Sequence, residues 1–291
     1  TTTRNMYDVY VRLLRPFGEV LTDMERVGVG LDAAHLQEMS KKAEQSLEDS
    51  MQHVKKWAVE VTGNPDAARI NFGSGMQMAH LLHGKVDEVE EFEVENVEGV
   101  LEEGKTKPLK KRKIKIRGLG VPVQAVTPKG NTKLSKFEYE KLAGKAPSAA
   151  HNPKFGTALD YIGEQGCIAL GVLLEANATS SLLETFMRPL QAWADELGRV
   201  HTSINLNTDT GRLSSRRPNL QNQPALEKDA FLIRKAFCAQ KPQNTLIVAD
   251  YGQLELRLLA HITKCESMIS AFKKGGDFHS RTALTMYDKI R

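Results

Sequence analysis

Apolar residues at three- and four-residue intervals open the chain. Met6, Val9, Tyr10, Leu13, Leu14, Phe17, Val20, Leu21 and Met24 fall on one face of a helix. Pro16 lies inside that run, where it lacks the amide a helix needs, so it either kinks the helix or begins a second one. Asp32 offers an N-cap for a long helix reaching about Val61, and Gly63-Asn-Pro65 ends it. Residues 71–84 read as a loop and a short helix. Ser135-x-x-Glu138 and Ser181-x-x-Glu184 have capping-box spacing, which predicts helices over 136–143, 156–176 and 180–197. After Gly198 the texture changes. Val200–Leu206, Ile233–Cys238 and Thr245–Asp250 read as strands, with helices after Gln253, around Glu266 and from Phe278. The fold class is α+β, helical at first and turning to a mixed sheet near residue 200.

One segment departs from this apolar periodicity. Residues 87–103 carry nine acids and no base, and residues 105–117 carry eight bases and no acid. Glu91-Phe-Glu-Val-Glu95 and Lys113-Ile-Lys-Ile-Arg117 alternate with period two, so an acidic strand can pair with a basic one in a hairpin. A solvated disordered insertion is the alternative at this charge density. The basic run Lys110–Lys113 could touch phosphate, but the neighbouring acids would screen it.

Composition narrows the class. The 291 residues are 41% hydrophobic and 26% charged, enough for a sizeable core and suggestive of two domains. A net charge of +4 permits a polyanionic partner without requiring one. Cys167, Cys238 and Cys265 lack C-x-x-C spacing, which argues against a disulfide framework or a zinc site and for a reducing compartment. No apolar run reaches the roughly 20 residues that cross a bilayer, so no membrane partner is expected. The chain stops at Arg291 without a helix stop signal, as a piece of something longer would.

Three stretches carry candidate chemistry. Thr210-Gly-Arg-Leu-Ser-Ser215 and Pro218-Asn-Leu-Gln-Asn-Gln-Pro224 gather Arg212, Arg216, Arg217, Asn219, Gln221 and Asn222. Arginine and amide donors can read minor-groove acceptors, although such amides can also satisfy their own loop. Asp250 follows the apolar run Leu246-Ile-Val-Ala249, where a carboxylate can hold Mg²⁺ or merely cap a helix. The helix after it is apolar nearly all round, so Glu255 and Arg257 should lie against protein, paired with each other or with a ligand. His279, in the first turn of the last helix, could help to hold a phosphate or simply be a satisfied surface histidine.

Taken in order, TGRLSSRRPNLQNQP, IRKAF, VADYGQLELRLLAH and GGDFHSRTA resemble the family A DNA polymerases. Gln223, Gly252 and Leu254 fit the plant organellar branch rather than the bacterial LQNIP and DYSQIELR patterns. The likeness reaches weakly back through residues 17–31 and 182–190, sparing residues 85–150. It implies a helical thumb followed by the beginning of a palm: 1–84 lead-in and thumb base, 85–150 charged insertion, 151–199 thumb helices and 200–291 the first part of the palm. It implies template-directed nucleotidyl transfer from a dNTP to a primer 3′-hydroxyl with two Mg²⁺ ions. Asp250 would be the catalytic metal-binding carboxylate, with the Tyr251 carbonyl as a further ligand. Glu255 would be the steric gate against a 2′-hydroxyl, and Gln253 and His279 would meet the nucleotide. Arg212, Asn219, Gln221 and Asn222 would contact primer–template DNA.

The expected partners are therefore DNA and dNTPs, with a monomeric polymerase unit in the mitochondrion or chloroplast. The second carboxylate and the fingers helix of the family are expected beyond residue 291, which predicts that the isolated piece is inactive. Two other classes compete. A nonenzymatic DNA-binding module leaves Asp250 and Glu255 without purpose, and a single-subunit RNA polymerase relative would have to admit the hydroxyl that Glu255 excludes.

Overall fold

Pro16 shapes the first element. Its nitrogen cannot donate to the carbonyl four residues back. The helix opens instead: α1 (Met6–Val9) passes into a π turn at Tyr10–Leu14, whose Arg15 amide reaches Tyr10 O, and α2 (Arg15–Val27) restarts with the proline in its first turn. The computed structural model describes residues 5–87, 89–96, 107–145, 154–225, 229–241, 243–275 and 280. They fall into two compact units, Thr1–Lys241 and Pro242–Arg291. The change of texture near residue 200 therefore does not coincide with the division into units. The apolar face of α1 and α2 stays largely open: Leu21 is buried, but Met6 is 77% exposed.

After β1 (Val29–Leu31), Asp32 caps the 30-residue α3 (Ala33–Thr62), its Oδ1 accepting the His35 amide at 2.9 Å. The helix ends at Gly63. Ser74 caps α4 (Gly75–His83). The charged segment then forms the hairpin that its alternation allows. β2 (Val89–Glu95) and β3 (Lys111–Arg117) are antiparallel, with Glu91 opposite Lys115, Glu93 opposite Lys113 and Glu95 opposite Lys111. Lys115 Nζ stands 3.0 Å from Glu91 and Lys111 Nζ 3.5 Å from Glu93. Such exposed pairs contribute under about 1 kcal/mol each, enough to favour one register. Val94, Ile114 and Ile116 alternate with them and are buried, which seats the hairpin on the body. Arg112 is also largely covered; it pairs with Asp66 at 2.5 Å, and Asp66 takes Arg69 at 2.6 Å.

α5 (Lys136–Ala143) begins with the capping box read from the sequence. The Ser135 hydroxyl and amide hold the Glu138 carboxyl below the ordinary range. Short strands β4 (Gly144–Lys145) and β5 (Lys154–Phe155) pair before α6 (Leu159–Leu182). Ser181 starts no new helix, contrary to its spacing. α6 runs through it into a π turn, Leu183–Met187, and on into α7 (Arg188–Ala192). Nor does the chain lack an apolar run of membrane length: Leu159–Ala192 qualifies by length and composition, with a mean hydropathy of 1.4 over its window. Small residues disguise that run in the sequence, and Cys167, Ala169, Leu170, Leu173 and Ala176 on it are buried. Burial pushes the Cys167 thiol up, and all three cysteines are free.

The remaining strands of this unit are short. β6 (Arg199–Val200) pairs with β1, β7 (Ser203–Asn205) with β8 (Ser214–Arg216), and β9 (Phe237–Cys238) with the other edge of β1. Ile233–Ala236, expected in a strand, is a 3-10 turn, leaving only Phe237–Cys238 extended. Among the described residues two apolar cores result. Val54, Trp57, Phe72, Leu81, Leu142 and Leu170 belong to one, and Leu31, Leu36, Met187, Leu190, Val200 and Ile233 to the other.

The second unit packs α8 (Leu254–Thr263) against α9 (Glu266–Lys274), with the Arg257 guanidinium 4.6 Å from the centre of the Phe272 ring. Residues 245–250 form no strand, and Val248 is 92% exposed. An extended segment needs a neighbour to take its amides, and no described residue supplies one. Leu170 is fully buried in the first core, so Leu170→Ala is expected to lower unfolding free energy by about 2–5 kcal/mol in a denaturant titration.

Candidate nucleic-acid and nucleotide interface

Arg212 sits at the tip of the β7–β8 hairpin. Ser203 pairs with Arg216, Ile204 with Ser215 and Asn205 with Ser214, leaving 206–213 as the connection. That connection is closed by its own bonds. Asn205 Oδ1 accepts the Asn207 amide at 3.1 Å, Thr208 O accepts the Gly211 amide at 3.1 Å, and the Thr208 hydroxyl donates to Arg212 O. Gly211 holds φ at 74°, a left-handed value that a side chain would strain. Arg212 is exposed, its backbone fixed from one side.

The amide-rich segment after β8 is partly its own partner. Asn219 Oδ1 accepts from the Ser215 hydroxyl at 3.0 Å and from the Gln221 amide at 2.9 Å, and Gln221 Nε2 donates to Leu213 O at 3.1 Å. The self-satisfying loop weighed from composition is therefore real for these atoms. Asn219 Nδ2 and Gln221 Oε1 remain for another partner, and Asn222 is exposed beside them. Two residues not singled out by sequence hold the loop in place. Arg234 Nε donates to Pro224 O at 2.6 Å and its Nη2 to Gln223 O at 3.3 Å. The buried Asp229 accepts the Ile233 amide at 2.7 Å and the Arg234 amide at 2.9 Å, capping the 3-10 turn that presents Arg234. Neither residue carries a sequence pattern that marks this role.

In the second unit Asp250 is exposed, as are Tyr251 and Glu255, with Gln253 half-buried. Asp250 does not cap α8: the N-cap is Gln253, in a left-handed conformation and without a side-chain bond. Glu255 and Arg257 do not lie buried against protein, as the apolar pattern predicted, because a pair of helices leaves most of α8 uncovered. Ile262 is 75% exposed. Nor do Glu255 and Arg257 pair with each other, since residues two apart on a helix do not face one another. Arg257 instead donates from Nε to Gly252 O at 2.8 Å and lies over Phe272. His279 lies outside the described residues.

The donor set suits a hard divalent cation in part. Asp250 offers a carboxylate and Tyr251 a backbone carbonyl, both oxygens of the kind Mg²⁺ takes. Among the described residues no cluster of three His, Cys, Asp or Glu side chains completes a metal site. The residues fit as one arm of such a site.

The helical body with its arginine-bearing hairpin matches part of the polymerase domain of a DNA polymerase. The chain superposes on the POL domain of Pol1 from M. smegmatis, solved in complex with DNA primer-template and dNTP, with a TM-score of 0.64, 25% identity and coverage of 94% of this chain and 37% of that one. Residues 157–290 match the family model described as DNA polymerase family A, and the chain belongs to that family. It is similar to DNA polymerase I A, chloroplastic/mitochondrial, of Arabidopsis thaliana, at 40% identity over 99% of this chain and 32% of that protein. DNA polymerase I of Chloroflexus aurantiacus matches at 31% identity over 97% of this chain and 24% of its own length. The chain thus spans about a third or less of these curated relatives. The aligned span takes in nearly the whole chain.

Truncating Asp229 leaves two amides without acceptors. Asp229→Ala is expected to cost about 1–3 kcal/mol in a thermal or denaturant unfolding measurement.

Proposed function

We propose that this chain is the thumb and the first part of the palm of a polymerase that copies DNA from a template, joining a dNTP to a primer 3′-hydroxyl with release of pyrophosphate. In this reading residues 1–84 and 151–199 are thumb, 85–150 are an elaboration of it and 200–291 begin the palm. The observation that carries the reading is Asp250. Its carboxylate is exposed, caps no helix and has no hydrogen bond or ion pair among the described residues, inside a segment that matches family A.

Asp250 and the Tyr251 carbonyl would hold part of a divalent site, and bound Mg²⁺ would supply charge neutralisation at the reacting phosphates. Arg212 reaches out from a rigid hairpin tip toward the minor groove at the primer terminus, whose acceptors are similarly placed in every base pair. Asn219, Gln221 and Asn222 meet the same duplex with the amide atoms their loop leaves over. Glu255, in the first turn of α8 with Gln253 ahead of it, fills the volume a 2′-hydroxyl would need and so selects deoxynucleotides by exclusion. His279 meets the triphosphate. The relatives named chloroplastic or mitochondrial support an organellar location and a role in organellar DNA replication and repair.

Asp250→Ala in the full-length enzyme is expected to abolish primer extension while leaving duplex affinity largely intact; normal turnover would remove Asp250 from the metal site. Glu255→Ala is expected to shift the ratio of specificity constants toward ribonucleotides, and an unmoved ratio refutes the gate. For Arg212→Ala the expected loss in primer–template affinity is about 1–3 kcal/mol, read by equilibrium binding.

A further inference from the structure

The last turn of α2 ends against cations. Arg199 donates from Nε to Val27 O at 2.6 Å and from Nη2 to Gly28 O at 2.9 Å, while His201 Nδ1 lies 2.8 Å from Glu25 O. Carbonyls at a helix C-terminus carry partial negative charge and have no partners within the helix, so these two side chains form a cationic cap. Gly28, at φ 65°, leaves room for it: a Cβ there would meet His201 Nδ1 at 2.8 Å and Val200 O at 2.7 Å.

The other edge of the His201 ring is also engaged. Nε2 lies 3.1 Å from Asp195 Oδ2, and Asp195 Oδ1 is held by the Arg199 and Leu197 amides at 2.7 and 2.9 Å. A carbonyl and a carboxylate are both pure acceptors. Only an imidazolium, with a proton on each nitrogen, satisfies both at once. Glu25 acts twice, because its carboxylate also accepts the Ile204 amide of β7. The strand that leads into the Arg212 tip is thus tied to α2 by one residue's side chain and carbonyl together.

We propose that Glu25, His201 and Asp195 form a positioning clasp that fixes where the β7–β8 hairpin presents Arg212 to a primer–template. The inference rests on the polymerase reading above, and none of the three residues need touch DNA. The charged groups facing the ring are Asp195 from the turn before β6, Arg199 from β6 and Glu25 from α2. The Glu25 carbonyl and then Asp195 raise the His201 pKa above its ordinary value, against burial and the Arg199 charge. The Arg199 amide first, and His201 after it, lower that of Asp195. A raised imidazole pKa contributes stability that is whole below the ordinary histidine value and is lost as pH rises through the folded one. A lowered carboxyl pKa contributes stability that is whole above the ordinary aspartate value and is lost as pH falls through the folded one. The clasp is therefore intact in mildly acidic solution and loosens toward alkaline pH.

The test uses the full-length polymerase that carries this chain. His201→Gln can donate toward Glu25 or Asp195 but not both. It is expected to speed amide exchange across β7–β8 about tenfold. It should also raise KM for primer–template about three- to tenfold, with kcat within about twofold. The wild-type rise of KM between about pH 6 and 8 should flatten in the variant. Glu25→Ala should reproduce the faster exchange, whereas Glu25→Gln, which keeps an acceptor for Ile204, should stay near wild type. Unchanged exchange in His201→Gln overturns the clasp. Faster exchange with an unmoved KM and an unmoved pH profile overturns its positioning role. A wild-type enzyme that binds no primer–template overturns the polymerase reading instead, while the exchange measurement still decides whether the clasp exists.

Discussion

The packing of α3 against α6 and its continuation into α7 is the constraint on which the first unit depends. Each partner is long enough to serve both cores. Val54, Trp57 and Ala58 near the end of α3 meet Leu170 and Leu173 of α6 in one core, while Leu36 and Ala43 near its start share the other with Met187 and Leu190. Polar contacts fix the second half of this seam: Gln191 Nε2 donates to Ser40 Oγ at 2.8 Å, and Arg188 reaches Glu44 at 3.1 Å. Because burial of apolar area supplies most of the stability, a frame shared by two cores couples them. Neither can loosen without disturbing the other.

The candidate DNA-facing loops inherit their rigidity from that frame. His35 of α3 lies 3.0 Å from Leu232 O, beside the 3-10 turn that Asp229 caps, and Arg234 from that turn holds the amide-rich return at Pro224. A chain of hydrogen bonds thus runs from the core helix to a surface loop whose outward atoms are unassigned donors and acceptors. A mobile loop would lose more conformational entropy on meeting a duplex than one already ordered.

Much of this was legible in the sequence where the signal was local. Asp32 and Gly63 bracketed α3, Ser135 and Glu138 opened α5, and the opposed alternation of Glu91–Glu95 and Lys113–Arg117 marked a hairpin, because each depends on residues a few positions apart. What was not legible depends on distant or missing neighbours. Leu246–Ala249 has the apolar look of a buried strand, but strand character is conferred by a pairing partner. Glu255 and Arg257 looked enclosed because the apolar pattern of α8 gives no count of the elements available to cover it. Ser181 carried a capping pattern inside a helix already propagating, where packing against the core outweighs a local start signal. The Arg212 loop and Asp250 were identifiable by residue type and family likeness, whereas Asp229, Arg234 and Glu25 carry no pattern of their own, their roles being set by the backbone groups they meet.

The π turn at Leu183–Met187 has a genetic corollary. It holds one residue more than a regular helical turn and closes over the surplus, so the side chains after it keep the register of an unbroken helix. Deleting a single codon there would regularise the coil and leave Leu190 facing its hydrophobic neighbours. The same deletion in a regular turn of α6 would rotate every later side chain by about 100°, so loss of one residue should be tolerated more readily at the wide turn than before it.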